Sequence, residues 1–99
     1  MSETVLVIGG GGREHAIVRA LAPDAEVYAL ASNRNPGIAA LAAGTETADA
    51  TDADAVVAYA EEVGADAVVV GPESALAAGV ADALNDAGVF TFGPTADAA

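Results

Sequence analysis

Four consecutive glycines, Gly9 to Gly12, separate an apolar β-type stretch, Val5 to Ile8, from a helix-forming segment opened by Arg13, Glu14 and His15. Glycine weakens a strand or helix by up to about 1 kcal/mol per position through lost conformational entropy. A run of four at a strand-to-helix turn therefore marks a backbone that must fold tightly or admit a ligand closely. Where such a turn opens a helix, unpaired N–H groups and the positive end of the helix dipole face outward together. The chemistry this suits is anion binding, phosphate above all. Gly10, Gly11 and Gly12 with the first helical turn would receive the phosphate, and Arg13 is placed either to close over it as a charge-assisted donor or to pair with Glu14 on a solvated helix start. Glu14 and His15 are an acid beside a base, but consecutive helical residues diverge by about 100° and do not form a dyad. His15 reads better as a packing or hydrogen-bonding residue.

Two further clusters could join the same site. Glu73 follows an apolar strand on a turn constrained by Gly71 and Pro72. Its carboxylate is suited to accept hydrogen bonds from sugar hydroxyls, or to complement the start of a helix. Asn35-Pro36-Gly37 offers an amide and a tight turn, to a ligand or simply to the chain. The other acids, Asp49, Asp52, Asp54, Glu61, Glu62, Asp66, Asp82 and Asp86, read as solvated surface. None is spaced for a metal, and no residue presents itself as catalytic. Cysteine is absent, so disulfides and thiolate metal sites are excluded.

The glycine run matches neither of two common phosphate-binding patterns. A P-loop needs a lysine after its last glycine, and this chain contains none. A dinucleotide fingerprint needs a third glycine or alanine three residues after the second; here Glu14 or His15 stands there. The second strand also ends in Ser32-Asn33 rather than an acid that would hold a ribose. Nicotinamide and flavin dinucleotides are disfavoured.

The elements that must position these residues alternate strand and helix. Thr4–Ile8 reads as a buried strand. A helix from Arg13 to Ala22 follows, with Ala16, Ile17, Ala20 and Leu21 on one face and Pro23 stopping it. Glu26–Ala31 is a second strand, then a connection with a short helix around Ile38–Ala42 and a weak strand near Thr45–Ala48. The next helix is capped by Thr51 or Asp52, lined by Val56, Ala60 and Val63, and ended by Gly64. Ala67–Val70 is a fourth strand; a helix carrying Leu76, Val80, Leu84 and Ala87 closes at Gly88, and Val89–Phe92 is a fifth strand. The expected fold is α/β, a Rossmann-like three-layer sandwich around a parallel five-stranded sheet. In such a sheet ligands gather at the carboxyl ends of the strands. The glycine run, Asn33–Gly37 and Gly71–Glu73 all follow strands, so they should converge on one edge.

Size and charge set the remaining bounds. Ninety-nine residues make a single domain, 1–99, with no apolar run long enough to span a membrane. Fifteen acids against three arginines leave a formal charge of −12. Self-repulsion of that size is screened by salt, so a well-patterned acidic chain without lysine fits a cytoplasm of high ionic strength. Three arginines cannot track a nucleic-acid backbone.

Val7–Ala16, Asn35-Pro36-Gly37, Val68–Glu73 and Phe92-Gly93-Pro94-Thr95 together resemble the N-terminal domain of the phosphoribosylamine–glycine ligases, or glycinamide ribonucleotide synthetases, of the ATP-grasp superfamily. The likeness runs from Thr4 to the last residues. It implies a pre-ATP-grasp domain of a purine-biosynthesis enzyme that joins glycine to 5-phosphoribosylamine at the expense of ATP, through a glycyl phosphate, to give glycinamide ribonucleotide. By motif, Gly10 to Gly12, Arg13 and Glu14 would lie at the 5′-phosphate, and Asn35, Gly37 and Glu73 near the ribose or the amine. The family's ATP-grasp domains bind ATP with Mg²⁺ or Mn²⁺ and would follow Thr95, so no cofactor is expected within these residues and the piece alone is expected to be inactive. A carboxylase or formyltransferase of the same superfamily, and a free-standing nucleotide-binding module, are the alternatives; Arg13-Glu14-His15 favours the glycine ligase.

Overall fold

The computed structural model describes residues 3–9, 12–32, 35–49, 52–70, 77–88 and 90–92. Among the described residues, five strands, β1 (Glu3–Ile8), β2 (Ala25–Ala31), β3 (Gly44–Thr47), β4 (Ala67–Val70) and β5 (Phe90–Phe92), alternate with four helices, α1 (Gly12–Leu21), α2 (Pro36–Leu41), α3 (Ala53–Val63) and α4 (Ala77–Asp86). The strands form one sheet in the order β3-β2-β1-β4-β5, and every pairing is parallel. The central strand is apolar on both faces because both are covered, as a parallel sheet requires. Val5 and Val7 point to one side, where Val18 of α1 and Ile38 of α2 pack with Val27 and Ala29. Leu6 and Ile8 point to the other, against Val56, Tyr59 and Ala60 of α3 and Leu84 of α4, with Leu30, Val68 and Val70. The expected three-layer α/β architecture is the one observed.

Local chemistry sets the helix ends. The carboxylate of Asp52 accepts from the N–H groups of Asp54 (3.1 Å) and Ala55 (3.3 Å), making Asp52 the N-cap of α3. Gly64 closes that helix in the left-handed conformation at φ 69°, the usual glycine C-cap. Asn35 caps α2, with Pro36 in its first turn, where the fixed φ and missing N–H of proline cost nothing. The short helix therefore begins at Pro36 rather than near Ile38, and Asn35-Pro36-Gly37 is a helix start rather than a free turn.

Three helix faces differ from the pattern expected. On α1, Ala16 and Ala20 are exposed; the inward stripe is Glu14, Ile17, Val18 and Leu21, an i, i+3, i+4, i+7 set. Two alanines bury too little area to outcompete Val18. On α3, Tyr59 joins Val56 and Ala60 in the core while Val63 is half-buried. On α4, Leu84 is buried, but Ala87 lies in the exposed turn beyond the helix, its N–H bonded to the Ala83 carbonyl at 3.0 Å. The expected cap Thr51, Leu76 at the head of α4, and Val89 at the start of β5 lie outside the described residues.

Candidate functional site at the carboxyl edge of the sheet

Parallel registration brings the carboxyl ends of three strands level. Ile8, the last residue of β1, pairs with Leu30 on one side and with Val70, the last residue of β4, on the other. The β1 neighbours β2 and β4 lead away in opposite directions through the sheet, so the end of β1 is where the strand order reverses. That is the position at which open α/β sheets hold ligands.

The chain leaves β1 through Gly9, whose N–H donates to the Leu30 carbonyl at 2.8 Å. Gly9 has φ 121°, a conformation L side chains rarely adopt. α1 has begun by Gly12, three residues after Gly9. Glu14 lies in that first turn, but its side chain runs inward and is 2% exposed. It folds back over Gly9: a Cβ there would lie 2.5 Å from Glu14 Oε1 and 3.0 Å from its Cδ and Cγ. Gly9 is thus required twice, for its backbone angle and for the space the carboxylate fills.

His15 turns the other way. Its half-buried imidazole lies on Gly37, where a Cβ would stand 2.7 Å from Cε1, 2.8 Å from Nε2 and 3.2 Å from Nδ1. Gly37 is also held by Asn35, whose Oδ1 accepts from the N–H groups of Gly37 (2.9 Å) and Ile38 (3.2 Å). The side-chain oxygen of Asn35 is therefore committed to the helix start, and the Asn35 segment is fastened to α1 through His15.

Of the residues expected at the site, Gly12 and Arg13 fall in the first turn of α1 by backbone, Glu14 lies inward against Gly9, and Asn35 and Gly37 form the start of α2. Gly10, Gly11 and Glu73, with Asn33, Gly71, Pro72 and the segment Gly93-Pro94-Thr95, lie outside the described residues. Sequence reasoning missed the inward direction of Glu14 and the docking of His15 on Gly37. The first was detectable: Glu14 stands four and seven residues before Val18 and Leu21 on one helical stripe. The second joins residues 22 positions apart and has no local signal.

A second polar cluster sits midway along the sheet. The Tyr28 hydroxyl donates to Glu26 Oε1 at 2.7 Å, and its ring meets Tyr59 edge-on with centroids 6.4 Å apart. That hydrogen bond is the main reason the Tyr28 hydroxyl titrates above its ordinary value. Tyr59 is raised chiefly by burial, then by the negative charges of Glu46 and Glu62. Among the described residues no group of acids or histidines is arranged to hold a metal ion, and no helix is long and apolar enough to cross a membrane.

Residues 3–99 match the family model described as phosphoribosylglycinamide synthetase, N domain. The chain is 53% identical over 96 residues to the phosphoribosylamine–glycine ligase of Streptomyces coelicolor, covering 96% of this chain and 23% of that protein. It is 50% identical over 93 residues to the enzyme of that name from Methanococcoides burtonii, covering 91% and 22%. The chain thus spans less than a quarter of the length of these relatives. Among solved structures it is similar to glycinamide-RNase-transformylase T from Mycobacterium tuberculosis, with TM-score 0.73 and 20% identity over 90% of this chain and 26% of that one. It is also similar to the repressor RSP in complex with β-NADH, with TM-score 0.62 and 19% identity over 94% and 46%. At these identities the structural likenesses establish the fold alone.

Proposed function

This chain belongs to the phosphoribosylglycinamide synthetase N-domain family, and from that premise we propose that it is the N-terminal, pre-ATP-grasp domain of an ATP-dependent ligase that joins glycine to 5-phosphoribosylamine, giving glycinamide ribonucleotide in purine biosynthesis. The observation that carries the reading is the alignment of the β1, β2 and β4 ends at the point where the chain leaves β1 through Gly9. The 5′-phosphate sits on the amides of Gly10 to Gly12 and the first turn of α1, with Arg13 as its charged donor. The ribose and amine face Asn35, Gly37 and Glu73. Glu14 serves the same site from behind the turn, where its carboxylate fills the space over Gly9. A dinucleotide fold carries a glycine or alanine where Glu14 stands here, which disfavours NAD.

ATP and its Mg²⁺ or Mn²⁺ ion are held by ATP-grasp domains outside these 99 residues, which complete the site and supply activation of glycine. The protein works in a cytoplasm of high ionic strength, where salt shortens the reach of its charges to about 3 Å at 1 M and relieves the self-repulsion of a −12 chain. Neither nucleic acid nor membrane is a partner.

The test is a chimera in which this chain replaces the corresponding segment of the Streptomyces coelicolor ligase. Release of ADP that depends on both phosphoribosylamine and glycine is expected from the chimera, and none from the 99-residue chain. A folded, soluble chimera that hydrolyses ATP without responding to phosphoribosylamine would overturn the proposal.

A further inference from the structure

Two adjacent side chains on α1 are each pressed against the backbone of a glycine in a different segment at the sheet's carboxyl edge. Glu14 lies on Gly9, at the exit from β1, and His15 lies on Gly37, in the first turn of α2. The angular step of about 100° between consecutive helical residues prevents the pair from acting as an acid–base dyad, but it is what lets two neighbours reach in two directions. A Cβ at either glycine would force a shift, since it would stand 2.5 Å from Glu14 Oε1 at Gly9 and 2.7 Å from His15 Cε1 at Gly37. Both glycines are otherwise tied to the scaffold, Gly9 through the Leu30 carbonyl and Gly37 through Asn35 Oδ1.

We infer that Glu14 and His15 are a pair of positioning residues that lock the exit of β1 at Gly9 and the start of α2 to one another, so that the two segments stand at a fixed spacing at the carboxyl edge of the sheet. The inference rests on the proposed phosphoribosyl site for its purpose, not for its geometry. A phosphate on one segment and a ribose on the other are joined by a short covalent span, so an error in the spacing is felt as lost binding even when each segment is intact. His15 transfers no proton in this role. The Cε1, Nε2 and Nδ1 atoms of its ring make the contact, and a side chain of similar reach such as glutamine retains part of it.

The test separates the coupling from the ligand. In amide correlation spectra of the 99-residue chain, Gly37→Ala is expected to shift the Gly9 and Gly12 signals when His15 is present and to leave them in place in a His15→Ala background. Shifts confined to α2 in both backgrounds would overturn the inference. In titrations with glycinamide ribonucleotide, His15→Ala is expected to raise the dissociation constant about fivefold while thermal unfolding of the free domain changes little, with His15→Gln in between. Equal affinity in wild type and His15→Ala would also overturn it. If the wild-type chain binds no ribonucleotide but the Gly37→Ala coupling is present, the phosphoribosyl reading falls and the positioning role stands.

Discussion

The two faces of the sheet are built by different chemistry. Under α3 and α4 the core is aliphatic and aromatic, Leu6, Ile8, Val56, Tyr59 and Leu84 among its members, and α3 begins and ends on Asp52 and Gly64. Among the described residues the apolar cluster under α1 and α2 is smaller, and a buried carboxylate and a half-buried imidazole pack directly on glycine backbone. One face supplies stability by side-chain packing. The other gives part of its interior to polar groups that hold two turns in place. A domain of this size has only a small margin of stability, so the first face must carry the second.

The largest effect should come from the first face. Leu6→Ala removes a fully buried side chain and is expected to destabilise by about 2–5 kcal/mol, measured by urea unfolding at fixed high salt. A loss below about 1 kcal/mol would remove the distinction between the faces. Next comes Gly9→Ala. It meets both the φ of 121° and the Glu14 carboxylate and should cost about 2–3 kcal/mol. Adding Glu14→Ala relieves the steric share and leaves the backbone share, so the two substitutions must be non-additive. Additive losses would mean that the carboxylate does not press on that turn.

Asp52→Ala, which removes the α3 cap, should cost about 1 kcal/mol and leave ligand binding unchanged. The smallest effect is a pH dependence. The Tyr59 hydroxyl is raised above 10.0 by burial first and by Glu46 and Glu62 next, so the folded state holds its proton more tightly than the unfolded chain does. That contribution is complete below pH 10 and is lost as pH rises through the folded value. Tyr59→Phe should flatten the alkaline limb of the stability profile; an unchanged limb would assign it to other groups.

The same contrast divides what sequence reasoning captures from what it misses. The α3 region follows local rules, with a capping Asp, an apolar stripe and a closing glycine, and its helix and the following strand β4 fall where expected. The order of elements and the gathering of strand ends at one edge also follow from alternation alone. On α1 the periodicity misleads, because charged residues are ordinarily assigned to the outside, and Ala16 and Ala20 then fill the vacated face. Glu14 is inside for a reason that is tertiary: Gly9 lacks a side chain and leaves room. The helical stripe shared with Val18 and Leu21 points to the inward side of Glu14, whereas His15 on Gly37 has no local signal, since helix propensity and local turn chemistry say nothing about which glycine a side chain will cover. Departures from local rules at a strand-end turn are where a functional constraint is expected to compete with packing.

Whether the carboxyl edge of this sheet is a phosphoribosyl site can be decided by an amide correlation titration of the 99-residue chain at high salt with glycinamide ribonucleotide and, separately, with NAD. Shifts at Gly9, Gly12, Glu14, Asn35 and Gly37 are expected with the ribonucleotide alone, at a dissociation constant in the millimolar range, about 4 kcal/mol of binding free energy. Silence at all of these amides under saturating ribonucleotide, or equal shifts with NAD, would contradict that assignment.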